Sequence, residues 1–226
     1  MVETSQRVSA RRPRAPTRAM YDRLSRWYDW LAGGSEERAC RAGLGMLDAQ
    51  PGQRILDIGC GNGRSLIDLA RVAGPAGIAC GIDLSAGMCR VARRRVAGAG
   101  HDGSPVVVLG DAIELPFRDG AYDAVTMSFA LELFTEHEIP VVLRECLRVL
   151  RAQGRLCVVS MAQVESRNAA VRLYEWAHNH FPTYVDCRPI WTERVLQVNG
   201  YEVDVHGVRR MSIWGLPVDI VRASVP

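Results

Sequence analysis

The segment Ile55-Leu56-Asp57-Ile58-Gly59-Cys60-Gly61-Asn62-Gly63 constrains the fold of this chain more than any other. Ile55 to Ile58 is a short apolar run interrupted by one carboxylate, the pattern of a strand buried on both faces of a parallel sheet. Three glycines at alternate positions follow. Without side chains the backbone there can turn tightly and lie against a ligand, while Ser65 to Ala70 opens a helix whose N-terminus points at the same spot. Ile78 to Ile82 reads as the next strand and ends in Asp83, whose carboxylate can accept both hydroxyls of a ribose. Together these residues describe a nucleotide-type cofactor site in an α/β fold.

The rest of the chain alternates in the same way. Strands are expected at 54–58, 78–82, 105–109, 122–128, 155–160, 201–208 and 218–223. Helices are expected at 64–73, 86–97, 139–150 and 192–198. Arg151-Ala152-Gln153-Gly154 reads as a helix stop, and Asn199-Gly200 as another. Tyr21, Leu24, Tyr28 and Leu31 stand at helical spacing in 20–31, and Ser35 caps a second helix reaching about Ala49. A further helix, Ser166 to Phe181, lengthens the connection after the fifth strand. The expected architecture is a Rossmann-like α/β domain over 20–226, with a seven-stranded, mostly parallel sheet and helices on both faces. A helical insertion falls at about 163–190, and residues 1–19 form a basic tail.

Glycine spacing narrows the cofactor. A dinucleotide fingerprint starting at Gly59 needs glycine or alanine at 64, where Arg64 stands; starting at Gly61 it needs one at 66, where Leu66 stands. Composition removes more. All 28 basic residues are arginine, so a P-loop lysine, a lysine Schiff base to pyridoxal phosphate and a Tyr-x-x-x-Lys pair are excluded. The seven cysteines are scattered, without C-x-x-C or zinc-ligand spacing, so no metal is expected and a reducing cytoplasm fits best. No apolar run approaches a membrane span or a secretory signal. A net charge of +3 argues for no specific nucleic acid, and the arginines of 1–19 belong to a solvated tail or to a nonspecific anionic contact, with a membrane or with nucleic acid.

A carboxylate two residues before G-x-G-x-G resembles the first motif of class I S-adenosylmethionine-dependent methyltransferases. Gly81 to Met88, Gly110-Asp111-Ala112, Leu115-Pro116-Phe117, Tyr122-Asp123 and Arg148-Val149-Leu150-Arg151 with Gly154 extend the likeness. So do Tyr21-Asp22 and Tyr28-Asp29, and the whole is similar to the ubiquinone/menaquinone-biosynthesis C-methyltransferase type. The resemblance implies that Asp57 and the Gly59-Cys60-Gly61-Asn62-Gly63 loop hold the methionine end of the cofactor and that Asp83 takes the ribose. It implies that Leu84 and Met88 sandwich the adenine, with helix-core packing as the alternative for Met88. Asp111, with Ala112, would meet the adenine amino group, the alternative being a turn-capping carboxylate. Ser128 and Phe129 would lie beside the sulfonium and acceptor, and Tyr21 and Tyr28 would shape the acceptor site from an N-terminal helical lid.

Methyl transfer from a sulfonium is an in-line displacement that depends on alignment. A carbon or phenol acceptor also needs a base, for which Glu132, His137, His178 and His180 are candidates; Glu132 could instead cap a loop and His137 lie in solvent. The expected reaction is methyl transfer from S-adenosyl-L-methionine, leaving S-adenosyl-L-homocysteine, to a small lipophilic acceptor such as a quinol, polyketide or lipid, by a monomer or homodimer. Ser128-Phe129-Ala130-Leu131-Glu132 and residues 163–190 depart from the quinone enzymes, which leaves the acceptor open. The competing readings are a non-catalytic cofactor-binding subunit and an NAD(P)-dependent oxidoreductase.

Overall fold

A computed structural model describes residues 35–99, 105–165, 169–180 and 188–226. The tail at 1–19 and the helix at 20–31, with Tyr21 and Tyr28, lie outside the described residues, as do the side chains of His178 and His180. The helices are α1 (Ser35–Leu47), α2 (Arg64–Ala73), α3 (Ala86–Gly98), α4 (Ile139–Val149), α5 (Ala169–His180) and α6 (Thr192–Val198). The strands are β1 (Arg54–Ile58), β2 (Ile78–Asp83), β3 (Val106–Leu109), β4 (Tyr122–Ser128), β5 (Leu150–Met161), β6 (Glu202–Ile213) and β7 (Leu216–Ser224).

Among the described residues these seven strands make one sheet in the order β3-β2-β1-β4-β5-β7-β6. The five from β3 to β5 run parallel, and β7 is antiparallel to both β5 and β6. The chain leaves β1 toward β2 and β3, then crosses back to place β4 on the other side of β1. That reversal opens a crevice at the carboxyl ends of β1 and β4, where open α/β sheets take their ligands.

Alternation along the strands divides the core. Leu56, Ile58, Val125, Met127, Leu156 and Val158 face α4 and α6, while Ile55, Ala79, Ala124, Cys157 and Val159 face α1 and α2. In α2, Leu66, Leu69, Ala70 and Ala73 recur on one buried face, and each fully buried leucine contributes about 1.5–3 kcal/mol. On the α4 side, Arg148 ties the β3–β4 connection down. Its guanidinium donates to Phe117 O at 2.7 Å, Leu115 O at 3.0 Å and Asp119 Oδ1 at 2.8 Å, and Glu145 Oε2 accepts from Leu115 N at 2.8 Å.

Three expectations are corrected. Arg151 to Gly154 is not a plain helix stop: β5 begins at Leu150, pairs with Tyr122, and absorbs the extra residues in a bulge with Gln153 at φ 61° before rejoining β4 at Arg155. β6 runs on past Val208 to Ile213, with an irregularity between Val203 and Val208. β7 starts at Leu216 because Trp214 and Gly215, at φ 50° and 82°, close a two-residue hairpin between Ile213 and Leu216. Positive φ at both turn residues matches strand twist, but tryptophan is a poor residue there, so the sequence carried no hairpin signal.

Candidate functional site

Asp57 lies beside Thr126 across the β1–β4 pairing. Both are buried, and Asp57 is 2% exposed. Asp57 Oδ2 and Thr126 Oγ1 have no hydrogen-bond partner among the described residues. Buried acceptors are almost always satisfied, so this pair leaves room for a donor from outside the described residues. Burial first, and then the Asp83 charge, pushes the Asp57 carboxyl up to about 7. A cation brought against it would reverse that shift.

The glycine turn above Asp57 needs each glycine for a separate reason. All three have positive φ, 72°, 52° and 77° at Gly59, Gly61 and Gly63. A Cβ on Gly59 would stand 2.7 Å from Ala130 Cβ, and one on Gly63 would stand 3.0 Å from Ala92 Cα. These two let the turn close against the β4 loop and α3. A Cβ on Gly61 would meet nothing nearer than Gly59 O at 4.0 Å, so this glycine faces open space, as a surface presented to a ligand does. Cys60 is buried beneath the turn against Gly81, and burial pushes its thiol well above the ordinary range. Its side chain is part of the packing.

Asp83 is tied to the same turn. Its Oδ2 accepts from Gly61 N at 2.9 Å and its Oδ1 from Ser85 N at 2.8 Å, which fixes the carboxylate plane. Ser85 caps α3 by accepting from Met88 N at 3.1 Å. Leu84 is half-buried, whereas Met88 is 2% exposed, the burial of a packing residue. Asp111 accepts from Ile113 N at 3.1 Å in a local turn, and Ala112 is buried in the α4-side core.

Phe129, directly after β4, lies in the left-handed region at φ 52° and donates its N–H to Val159 O at 2.7 Å. A bulky residue in that conformation costs about 1–2 kcal/mol, and strain of this kind collects at functional sites. Ser128 lies close to Cys40 of α1. Burial pushes the Cys40 thiol up to about 12, with the Asp57 and Glu36 charges adding to it. Burial also pushes the Glu36 carboxyl up to about 7. The start of α1 therefore roofs the Asp57 side of the crevice.

The structure thus gathers Asp57, Gly59, Gly61, Asp83, Ser128 and Phe129 around the carboxyl ends of β1, β2 and β4. It does not treat the base candidates alike. Glu132 is 2% exposed, and its Oε1 accepts from Met161 N at 3.1 Å, which binds the β4 loop to the end of β5. His137 is exposed in the turn before α4. Sequence reading missed Thr126, Glu36 and Cys40. Thr126 was findable as a polar side chain two residues before Ser128 in an apolar strand; the other two reach the site only through the packing of α1 on the sheet.

A cavity of about 810 Å³, lined by none of the glycine-turn residues, lies between the start of α4, the residues that follow β5, and α6. Ile139, Val164, Val171, Ile190 and Val195 give it an apolar wall, and Arg188 and Arg194 stand on it. Arg188 pairs with Glu136 at 2.8 Å.

Residues 55–154 match the family described as methyltransferase domain. Over 155 residues the chain is 36% identical to demethylmenaquinone methyltransferase of Symbiobacterium thermophilum, covering 66% of this chain and 61% of that one. Over 158 residues it is 34% identical to nocamycin O-methyltransferase of Saccharothrix syringae, covering 70% and 53%. These matches span less than two thirds of either relative. A methyltransferase structure from Aquifex aeolicus shares the fold at 19% identity and a TM-score of 0.63, covering 83% of this chain and 89% of that one.

Proposed function

Taking as premise that this chain is of the class I methyltransferase family, with its methyltransferase domain at residues 55–154, we propose that it transfers a methyl group from S-adenosylmethionine to a small lipophilic acceptor. The observation that carries the reading is the buried Asp57 carboxyl beneath an open glycine turn, with its Oδ2 unpartnered among the described residues and Asp83 held ready beside it. When bound, the cofactor supplies a methyl group on a positively charged sulfur, which an acceptor displaces in line.

The chain's own residues bind and orient. Asp57 takes the cationic methionine end, where ionisation restores the attraction that burial had suppressed. Asp83, already fixed by two backbone amides, accepts from the ribose hydroxyls. Leu84 lies against the adenine, and Asp111 accepts from its amino group. Ser128 and Phe129 close the sulfonium side, and α1 excludes water from it. Alignment of this kind can supply about 7–11 kcal/mol of a displacement barrier.

The apolar wall of the cavity, Ile139, Val164, Val171, Ile190 and Val195, suits a lipophilic acceptor. One relative is named for a quinone and the other for an oxygen acceptor, which favours a ring-bearing acceptor without choosing its atom. For a proton removed on transfer the candidates are Glu132, buried with one carboxylate oxygen held by Met161 N, and exposed His137, with Tyr21 and Tyr28 as acceptor-shaping residues.

Calorimetry should show S-adenosylhomocysteine binding and no affinity for NADH. NADH binding with no S-adenosylhomocysteine binding would overturn the cofactor reading. Labelled methyl transfer to a panel of quinols, phenols and polyketides then separates an enzyme from a cofactor-binding subunit, which would bind and never turn over.

A further inference from the structure

The carboxyl edge of the sheet carries a second surface beyond β5. Because β6 runs parallel to β5, the β6–β7 hairpin tip projects from the same edge as Asp57, Asp83 and Ser128. Trp214 sits at that tip, 69% exposed, in a backbone conformation that asparagine or glycine would adopt at less cost. Packing and local propensity both speak against an indole there.

α5 adjoins the tip: a Cβ on Gly215 would stand 3.1 Å from Ala170 Cβ. Val171 and Tyr174 turn the inner face of this helix toward the protein. Its outer stripe inverts the usual pattern, with Leu173 66% and Trp176 52% exposed beside exposed Arg172. Arg172 is the charged residue among the described side chains of α5. Arg209, on the hairpin, is exposed and has no ion-pair partner among the described residues, whereas its neighbour Arg210 is bound by Asp219 at 2.7 Å.

Two indoles and a leucine flanked by exposed arginines are the side chains that seat a protein at the interface of an anionic bilayer. The rings enter the headgroup boundary, the leucine reaches the acyl region, and the guanidinium groups meet lipid phosphates. We propose that Trp214, Leu173 and Trp176, with Arg172 and Arg209, form a docking surface for an anionic lipid bilayer. Docking there turns the carboxyl edge toward the membrane, so an apolar acceptor could enter from the lipid. In that purpose it rests on the lipophilic-acceptor reading, though the surface itself does not.

The test is co-sedimentation of the full chain with vesicles of equal parts phosphatidylcholine and phosphatidylglycerol, against phosphatidylcholine alone. Binding is expected only with the anionic vesicles. The Trp214→Ser/Leu173→Ser pair should weaken it at least about tenfold, and Arg209→Gln roughly fivefold. Both variants should keep wild-type melting and S-adenosylhomocysteine affinity, so a lost cofactor reading and a lost docking surface are told apart on the same samples. Absent binding, equal binding to neutral vesicles, or binding that survives the double variant overturns the proposal. Self-association that the double variant abolishes while vesicle binding stays unchanged overturns it as well, by assigning the patch to a second copy of the chain.

Discussion

Asp57 and Asp123 are buried carboxylates on neighbouring strands at opposite edges of one sheet. At the amino edge, Asp123 accepts from Arg54 N at 2.6 Å and pairs with Arg151 at 2.5 Å, so its burial is compensated inside the chain. At the carboxyl edge, Asp57 is at least as deeply buried, and one of its oxygens is left open. Burial alone therefore does not mark a site. The mark is burial left uncompensated among the described residues, beside a turn with space above it.

Breaking the ligand side should have the largest effect. Asp83→Ala removes the proposed ribose acceptor and the anchor of the Gly61 amide, and S-adenosylhomocysteine affinity should fall by about a hundredfold, at the upper range for lost charged hydrogen bonds. Calorimetry reads this directly.

Exchanging the two aspartates sharpens the contrast. Asp123→Asn should cost about 2 kcal/mol of stability in denaturant titrations while leaving S-adenosylhomocysteine affinity nearly unchanged. Asp57→Asn should do the reverse, weakening binding by roughly tenfold at pH 8 without loss of stability.

The same contrast has a pH signature. The folded Asp57 carboxyl ionises near 7, above its unfolded value. Between about 4 and 7 the native state therefore holds a proton that the unfolded state has lost, and Asp57 lowers stability as pH rises through that window. Melting of Asp57→Asn across it should be flatter than wild type. The smallest effect belongs to the clamp on the other face. Glu145→Gln should cost about 1 kcal/mol, because Arg148 keeps its bonds to Phe117 and Leu115.

The parallel strands and the helices that cross them were legible, because buried strands and amphipathic helices write themselves in local periodicity. The glycine turn was legible because tight turning and close approach admit few residue types at that spacing. The antiparallel end was less so. Trp214 occupies a turn position that sequence rules give to asparagine, and Gln153-Gly154 marks a bulge where the sequence read as a helix stop. In the site, Glu36 and Cys40 were hidden because packing alone brings α1 over Asp57. Arg148 and Leu115 stood out as a motif, but the bonds that join them cross from α4 to a distant loop.

The most direct test of Asp57 as a carboxyl kept open for a cationic ligand is proton release on binding. S-adenosylhomocysteine should be titrated calorimetrically at pH 6 in buffers of different ionisation enthalpy. Wild type should release close to one proton per ligand bound, and Asp57→Asn clearly less. Binding with no proton release, or with the same release in both proteins, would contradict the account.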